Sequence, residues 1–508
     1  LALKAARESI VLLKNDGILP LKSSAKVAVI GPNADTLEIL QANYHGTAID
    51  PVTPLKGLRT ALGADRVTYA QGSNIADGVA IPIPETALST GKESGLTGEY
   101  FDNPDFSGQP ILTRTDKTVN LDLYNTVPVK GFEKGPYSVR WTGYLTPPAA
   151  GDYQLKIYTE RCWECSNQHD VITLYVDGKP VITDTGDGKS LEASLHFDDA
   201  KPRPIKLEFR HVGQDWGVRL QWQAPAEAQT AEAVKAAQDA DAIVAFVGLS
   251  PDLEGEEMAV SFPGFKGGDR TSLALPEAQQ KMLEAVKATG KKLVVVYMTG
   301  GAISDPWVSE IADAVLQAWY PGEAGGEAIA NTLTGKNNPG GRLPYTIYRD
   351  VADLPSFEDY SMKGRTYRYF KGQVLYPFGH GLSYTNFTYD KPGLSAKTLK
   401  AGDTATASVT VRNSGKQDGD EVVQLYLAKP GDTANPVLAG FMRVSLKAGE
   451  SRKVSLPLDA RALSQVGQDG SRKVLPGAYR VSIGGGQPGF AATVSAKLIV
   501  TGTADVAK

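Results

Sequence analysis

Hydrophobic positions along the chain follow two different periods, and the period changes at definite places. In residues 1–91 short apolar runs alternate with helical spacing. Ala2, Ala5, Ile10, Val11 and Leu13, set between charges, predict an amphipathic helix that NDG (15–17) ends. KVAVI (26–30) predicts a strand, PLKGLRTAL (54–62) a helix, and residues 67–69 another short strand. Near Ile81 this pattern stops in IPIPETALSTGKESG, whose Pro, Ser, Thr and Gly content is that of a linker. From Gly95 to Pro225 apolar and polar residues alternate with period two, as in YQLKIY, VITLYVDGKPVIT and PIKLEFRHV, with Asp177-Gly178 supplying hairpin chemistry. The helical period then returns. Residues 231–240 and 275–289 predict helices, and 242–247 (AIVAFV), 292–298 (KLVVVYM) and 314–319 predict strands.

Strand–helix alternation on both sides of a β-only stretch predicts one α/β sheet interrupted by an inserted antiparallel β domain. After Pro339 an irregular run rich in aromatic and charged residues predicts a segment that wraps another surface. From residue 389 to 501 the period-two alternation resumes in about seven short strands, the pattern of an immunoglobulin-like β-sandwich. The predicted fold class is therefore multidomain, α/β plus all-β. The α/β sandwich takes residues 1–91 and 227–345, the insert 92–226, the wrapping linker 346–388 and the β-sandwich 389–508.

Composition adds limits rather than detail. At 508 residues the chain is too long for one core. Its 53 glycines and 31 prolines fit a turn-rich, β-heavy protein. A net charge of −4 without a basic stripe argues against nucleic acid as a partner, and no apolar run approaches a membrane span. The chain begins LALKAARESI, in mid-helix, without an initiator Met or a signal-peptide pattern, which predicts a piece of a longer protein.

The densest chemistry lies in residues 248–270, GLSPDLEGEEMAVSFPGFKGGDR, directly after the apolar run 242–247. Ligands of open α/β sheets sit at the carboxyl ends of strands. A loop there carrying Asp252, Glu254, Glu256, Glu257 and Asp269 beside Arg270 can hold a carboxyl group over a substrate. Crowded carboxylates favour a protonated member, which general acid catalysis needs. On charge alone the same stretch also reads as a solvated acidic loop.

Cys162 and Cys165, spaced C-x-x-C, have neither the further ligands of a zinc site nor a thioredoxin-like setting; a local disulfide and a free thiol pair both remain open. No metal and no cofactor is expected. Trp141 and Trp222 fit either an exposed apolar stacking platform or the core of the β domain.

The motifs RESIVLLKNDGILPL (7–21), KVAVIGPNAD, WYPGEAGGEAIANTLTGKNNPGGRLPYT and YRYFKGQVLYPFGHGLSYTNFTY, in that order, resemble glycoside hydrolase family 3 over the whole chain outside the insert. The insert resembles the protective-antigen type of β domain through GEYFDN, SVRWTGYLTPPAAGDY and LYVDG, and the last domain resembles fibronectin type III. The resemblance implies a retaining, exo-acting β-glycosidase, a β-glucosidase or β-xylosidase, acting on an oligosaccharide or glycoside. In that family an N-terminal (β/α)8 barrel supplies an aspartate nucleophile; nothing in this chain looks like it. The acid/base glutamate comes from a loop of the E-x-E-G-x-D-R kind. Here Glu254 and Glu256 form the pair, and Asp269-Arg270 follows only after an inserted MAVSFPGFKGG. Glu256 is the first choice for acid/base and Glu254 the second. Asp269 and Arg270 would close the loop as an ion pair or touch sugar directly. Trp163 is the candidate for contact with an outer sugar, and His380 in YPFGH either nears sugar or packs at a domain junction. A secreted or periplasmic location follows from the family, and a homodimer is left open. The rival is a non-catalytic carbohydrate-binding protein, because one carboxylate cannot run a two-carboxylate mechanism.

Overall fold

A computed structural model of the chain describes residues 1–507 apart from 124–126, 133–134, 160–168, 187–190 and 213–214. It divides into two compact units, one of residues 25–271 with 275–292, the other of residues 1–24, 272–274 and 293–508.

In the first unit three parallel strands, Val67–Ala70, Val27–Ile30 and Ala242–Gly248, lie side by side in that order. Every residue of the latter two is buried, as a parallel strand covered on both faces should be. The strand ahead of the insert thus pairs directly with the strand after it. Helix Pro54–Leu62 begins where local chemistry predicts: Pro54 sits in its first turn and Thr53 Oγ1 accepts from the Lys56 amide at 3.3 Å. Helices Ala226–Ala237 and Glu277–Lys287 pack on one another.

Between these strands the chain builds two antiparallel sheets. One runs Glu192–Phe197, Gly151–Thr159, Gly217–Gln223 and Ile81–Pro82, with Asn120–Asp122 also on Gly217–Gln223. The other runs Lys179–Asp184, Val171–Val176, Arg203–His211, Tyr137–Leu145, Leu96–Phe101 and Leu112–Asp116. Ile81–Pro82 and Leu88–Ser89 fall in the stretch whose composition reads as a linker, yet both pair with strands of these sheets. Pro82 is tolerated there because Ile81–Pro82 is a two-residue strand at the edge of its sheet. Asp177 and Gly178 have φ of 52° and 75°, the double positive φ of a two-residue hairpin turn. Trp141 is 0% and Trp222 2% exposed. Neither has a free ring face for sugar, and the Trp141 indole Nε1 is satisfied by Asp116 Oδ2 at 2.8 Å.

In the second unit strand Ala314–Gln317 has Lys292–Met298 parallel on one side and Val11–Asn15 antiparallel on the other. This corrects the first helix, which covers only Ala2–Ser9. Ile10 leaves it with ψ 127°, and Val11, Leu12 and Leu13 are all buried strand residues. An apolar run finds a ladder partner about three hundred residues away, and that pairing overrides the helical spacing. Residues 339–388 are mostly irregular, with one short pair, Ile347–Tyr348 on Val374–Tyr376.

The C-terminal strands form two main sheets and a small third one of Gln465–Val466, Arg472–Val474 and Ala504–Asp505. In the first main sheet Ala405–Asn413 pairs Phe387–Tyr389, Gly393–Leu394 and Ser451–Leu458. The second runs Thr398–Lys400, Thr493–Thr501, Gly477–Gly484, Gly419–Ala428 and Val437–Leu446. Inward residues of both main sheets, among them Val409, Val454, Leu425, Tyr479 and Val481, make one buried cluster. Among the described residues no helix is long and apolar enough to cross a membrane.

Candidate active site

The acidic stretch begins where strand Ala242–Gly248 ends, and its root is clamped. Gln279, on helix Glu277–Lys287, is fully buried. Its Oε1 accepts from the Gly248 amide and its Nε2 donates to the Gly248 carbonyl, both at 2.8 Å; Nε2 also donates to the Ile75 carbonyl at 2.6 Å. A side-chain amide that satisfies both polar groups of a strand-end residue fixes where the chain leaves the sheet. The chain then turns: the amides of Leu253 and Glu254 donate to the Ser250 carbonyl at 2.9 and 3.1 Å, and Leu253 is buried.

Beyond this turn Glu254 is half-buried, while Glu256 and Glu257 are exposed. The Tyr44 hydroxyl, on the loop after Leu40, donates to Glu256 Oε2 at 2.7 Å. That bond, with the negative charge behind it, raises the Tyr44 pKa above its ordinary value. A Cβ on Gly255 would collide with Asn43 and Met258, so the two loops are packed together here. Glu257 adopts a left-handed φ of 49°, uncommon for a residue with a side chain, which turns the chain away past Glu256.

The segment that separates Asp269-Arg270 from the glutamates folds as a small ribbon, Ser261–Phe262, Phe265–Lys266 and Asp269–Arg270 in antiparallel order. Phe265 is buried beneath it. Gly268, at φ +89°, lies so near Gly255 that a Cβ would strike the Gly255 carbonyl oxygen. Asp269 is exposed and Arg270 half-buried on the outer strand. The inserted residues therefore return the chain to Gly255, which brings Asp269-Arg270 back beside the glutamate pair despite their separation in sequence.

Asp252 has a partner of another kind. Arg219, on strand Gly217–Gln223, reaches Asp252 Oδ2 with Nη1 at 2.9 Å and Glu38 Oε1 with Nε at 3.4 Å. Asp252 is therefore occupied by a cation, and Glu256 by a phenol on a different element. A cavity of about 510 Å³ adjoins this side of the loop, bordered by Glu38, Tyr158, Arg219, Asp252, Met258 and Phe262. Cys162, Trp163 and Cys165 lie outside the described residues. Among those described, no group of three or more His, Cys, Asp or Glu is disposed to hold a metal ion.

Tyr44, Arg219 and Gln279 carry the site without standing out in the sequence. Each is a single polar residue in an ordinary context, and its partner is dozens to hundreds of positions away. A glutamine on the buried face of an amphipathic helix is the only signal of the three.

His380 packs inside the other unit. Nε2 lies 3.0 Å from the Leu13 carbonyl and the ring stacks on Tyr376. Burial lowers its pKa, the Leu13 bond opposes this and Arg342 adds to it. The unfolded chain takes up a proton below about pH 6.5 that the folded His380 resists. Stability of this unit is therefore expected to fall as pH drops from about 6.5 toward the lowered folded value. His380→Gln should flatten that part of a Tm-against-pH curve; an unchanged slope would remove His380 from the account.

Residues 10–384 match the model of the glycosyl hydrolase family 3 C-terminal domain. The chain belongs to glycosyl hydrolase family 3. A fibronectin type III-like domain matches residues 421–487, in the C-terminal strands. Among family 3 relatives, a xylan 1,4-β-xylosidase of Xylanibacter ruminicola is 34% identical over 95% of this chain and 56% of its own length. A periplasmic β-glucosidase of Salmonella typhimurium is 29% identical over 95% of this chain and 48% of its own. A crystal structure of β-glucosidase from Kluyveromyces marxianus in complex with glucose superposes with a TM-score of 0.71 at 25% identity, covering 99% of this chain and 62% of that one. The chain spans about half the length of the curated family 3 relatives it matches.

Proposed function

We propose that this chain is the C-terminal part of a retaining, exo-acting β-glycosidase that removes terminal β-linked glucose or xylose, and that Glu256 is its acid/base. The observation that carries the reading is the placement of Glu256. Its carboxylate is exposed and held on one oxygen by Tyr44, on a loop whose root is clamped, in a family 3 chain. The other oxygen is left to meet a glycosidic oxygen. Glu254, half-buried two residues before, is the alternative; Asp269 and Arg270 border the same loop as substrate-side residues.

The nucleophile belongs to an upstream (β/α)8 barrel. There an aspartate attacks the anomeric carbon while Glu256 protonates the departing oxygen. The same glutamate, now ionised, takes a proton from water, whose oxygen displaces the aspartate and restores the original configuration. Retention by this route sets the two carboxyls about 5–5.5 Å apart. Residues 92–226 are read as a protective-antigen-type domain at the border of the site, with Trp163 as a contact for an outer sugar. A secreted or periplasmic location accords with the periplasmic relative.

The test is a panel of aryl β-glycosides given to the full-length protein, with the anomer first released read by proton NMR. Release of β-xylose or β-glucose is expected. Binding without release would favour the carbohydrate-binding alternative, and release of the α anomer would overturn retention.

A further inference from the structure

We infer that Arg219, on a strand of the inserted β sheets, is a positioning residue for the acid/base loop, holding through Asp252 the turn from which Glu254 and Glu256 project. This rests on the functional reading above. Three observations support it.

The first is the grip. The guanidinium meets Asp252 through Nη1 at 2.9 Å and Glu38 through Nε at 3.4 Å, and its Cζ lies 4.0 Å from the centre of the Tyr158 ring. Two of its nitrogens and one face are engaged, which fixes the planar group in direction as well as place. Glu38 is itself held, since Asn120 Nδ2 donates to its Oε1 at 2.9 Å.

The second is the rigidity of what does the gripping. Arg219 pairs with Tyr158 on one side and Asn120 on the other, so its backbone lies inside a sheet rather than on a loop. A site held from regular structure keeps its geometry better than one held from loops.

The third is cost. Arg219 is only 9% exposed. Burial works against its charge, and Glu38 and Asp252 overcome this and hold it protonated above its ordinary range. The contact with Glu38 is a buried ion pair, which contributes little net stability against an apolar replacement, and the Asp252 side chain is 41% exposed. Stability alone is therefore a poor reason for the arrangement. Position is a better one, because a displacement of about 1 Å at a reacting group costs about 10²-fold in rate.

The experiment uses the full-length protein with Arg219→Met, Asp252→Asn and Arg219→Lys, each checked for folding by circular dichroism. It compares kcat/KM on an unactivated β-disaccharide and on a 2,4-dinitrophenyl β-glycoside, whose leaving group needs no proton. A loop that has lost its position should lower the first by about 10–100-fold and leave the second within about threefold. KM on the disaccharide should change little, Arg219→Lys should recover part of the loss, and the double variant Arg219→Met/Asp252→Asn should be no worse than the poorer single one. An equal loss on both substrates, a rise in KM alone or no change would overturn the inference. If Arg219→Met fails to fold, Asp252→Asn decides, since it removes the charge and keeps the side-chain shape. Glu256→Gln and Glu254→Gln run alongside separate the two readings. If neither shows leaving-group dependence, the acid/base assignment has failed. If one does and Asp252→Asn does not, only the positioning inference has failed.

Discussion

Glu256→Gln in the full-length protein is expected to lower kcat/KM on an unactivated β-disaccharide by about 10²–10⁴-fold, the usual worth of general acid–base catalysis. Glutamine keeps the length of the side chain and can still accept from Tyr44, so the loop should stay where it is; what disappears is the proton. A 2,4-dinitrophenolate leaves without that proton, so glycosylation by such a substrate should be nearly normal. The glycosyl-enzyme should then accumulate, because no base remains to activate water, and added azide should restore turnover by attacking in its place. If Glu254→Gln shows this behaviour and Glu256→Gln does not, the acid/base is Glu254. Loss of activity on every substrate alike, without azide rescue, would take both glutamates out of the role.

The largest expected effect on stability lies elsewhere, at Arg342. Its Nη2 meets Glu421 Oε1 at 2.7 Å, with side chains 9% and 5% exposed. Arg342 follows helix Gly325–Leu333, whereas Glu421 belongs to strand Gly419–Ala428, so the pair joins the α/β part of its unit to the C-terminal sheets. Burial already raises the Glu421 pKa, and Arg342 is the chief charge that opposes this. Arg342→Met would leave that buried carboxylate without a counter-charge, with the Val422 amide and Tyr389 as its remaining partners, at an expected loss of about 3–5 kcal/mol in the unfolding transition of this unit. The double variant Arg342→Met/Glu421→Gln should recover much of it, since no charge is then left buried. A loss below about 1 kcal/mol for the single variant would mean that solvent reaches the site.

Much of this architecture was legible because its signals are local. Helix Pro54–Leu62 announces itself by Thr53 and Pro54, the hairpin at Asp177-Gly178 by its turn residues, and strand Val171–Val176 by its β-branched and aromatic run leading into that turn. The acidic loop was legible for a similar reason: five acids follow an apolar strand. What could not be read depends on distant partners. Val11–Leu13 continue an apparent helix until Ala314–Gln317 supplies a ladder. Nothing near Arg219 announces Asp252, and nothing near Tyr44 announces Glu256, because proximity there is a product of the fold. The separation of Asp269-Arg270 from the glutamates looked like a broken motif, and the ribbon with Gly268 against Gly255 explains how the two ends meet.

The direct pairing of the strands on either side of the insert also bears on how the chain is made. Lys26 donates to Asp241 across 215 positions, and the apolar strand Val27–Ile30 meets Val67–Ala70 early. On a ribosome adding about 5–20 residues per second it then waits roughly ten to forty seconds for its second neighbour, Ala242–Gly248. The insert shortens the search. Ile81–Pro82 lies against Gln221–Trp222, and Gln223 donates to the Gly78 carbonyl across 145 positions. Sheets that fold as they emerge thus hold their own entrance and exit together. Removing that stretch from the open loop lowers the entropy of closure by about 1 kcal/mol. The inserted sheets are thereby expected to brace the nascent chain, and replacing them with a short flexible linker should be tolerated better than replacing them with an unfolded segment of equal length.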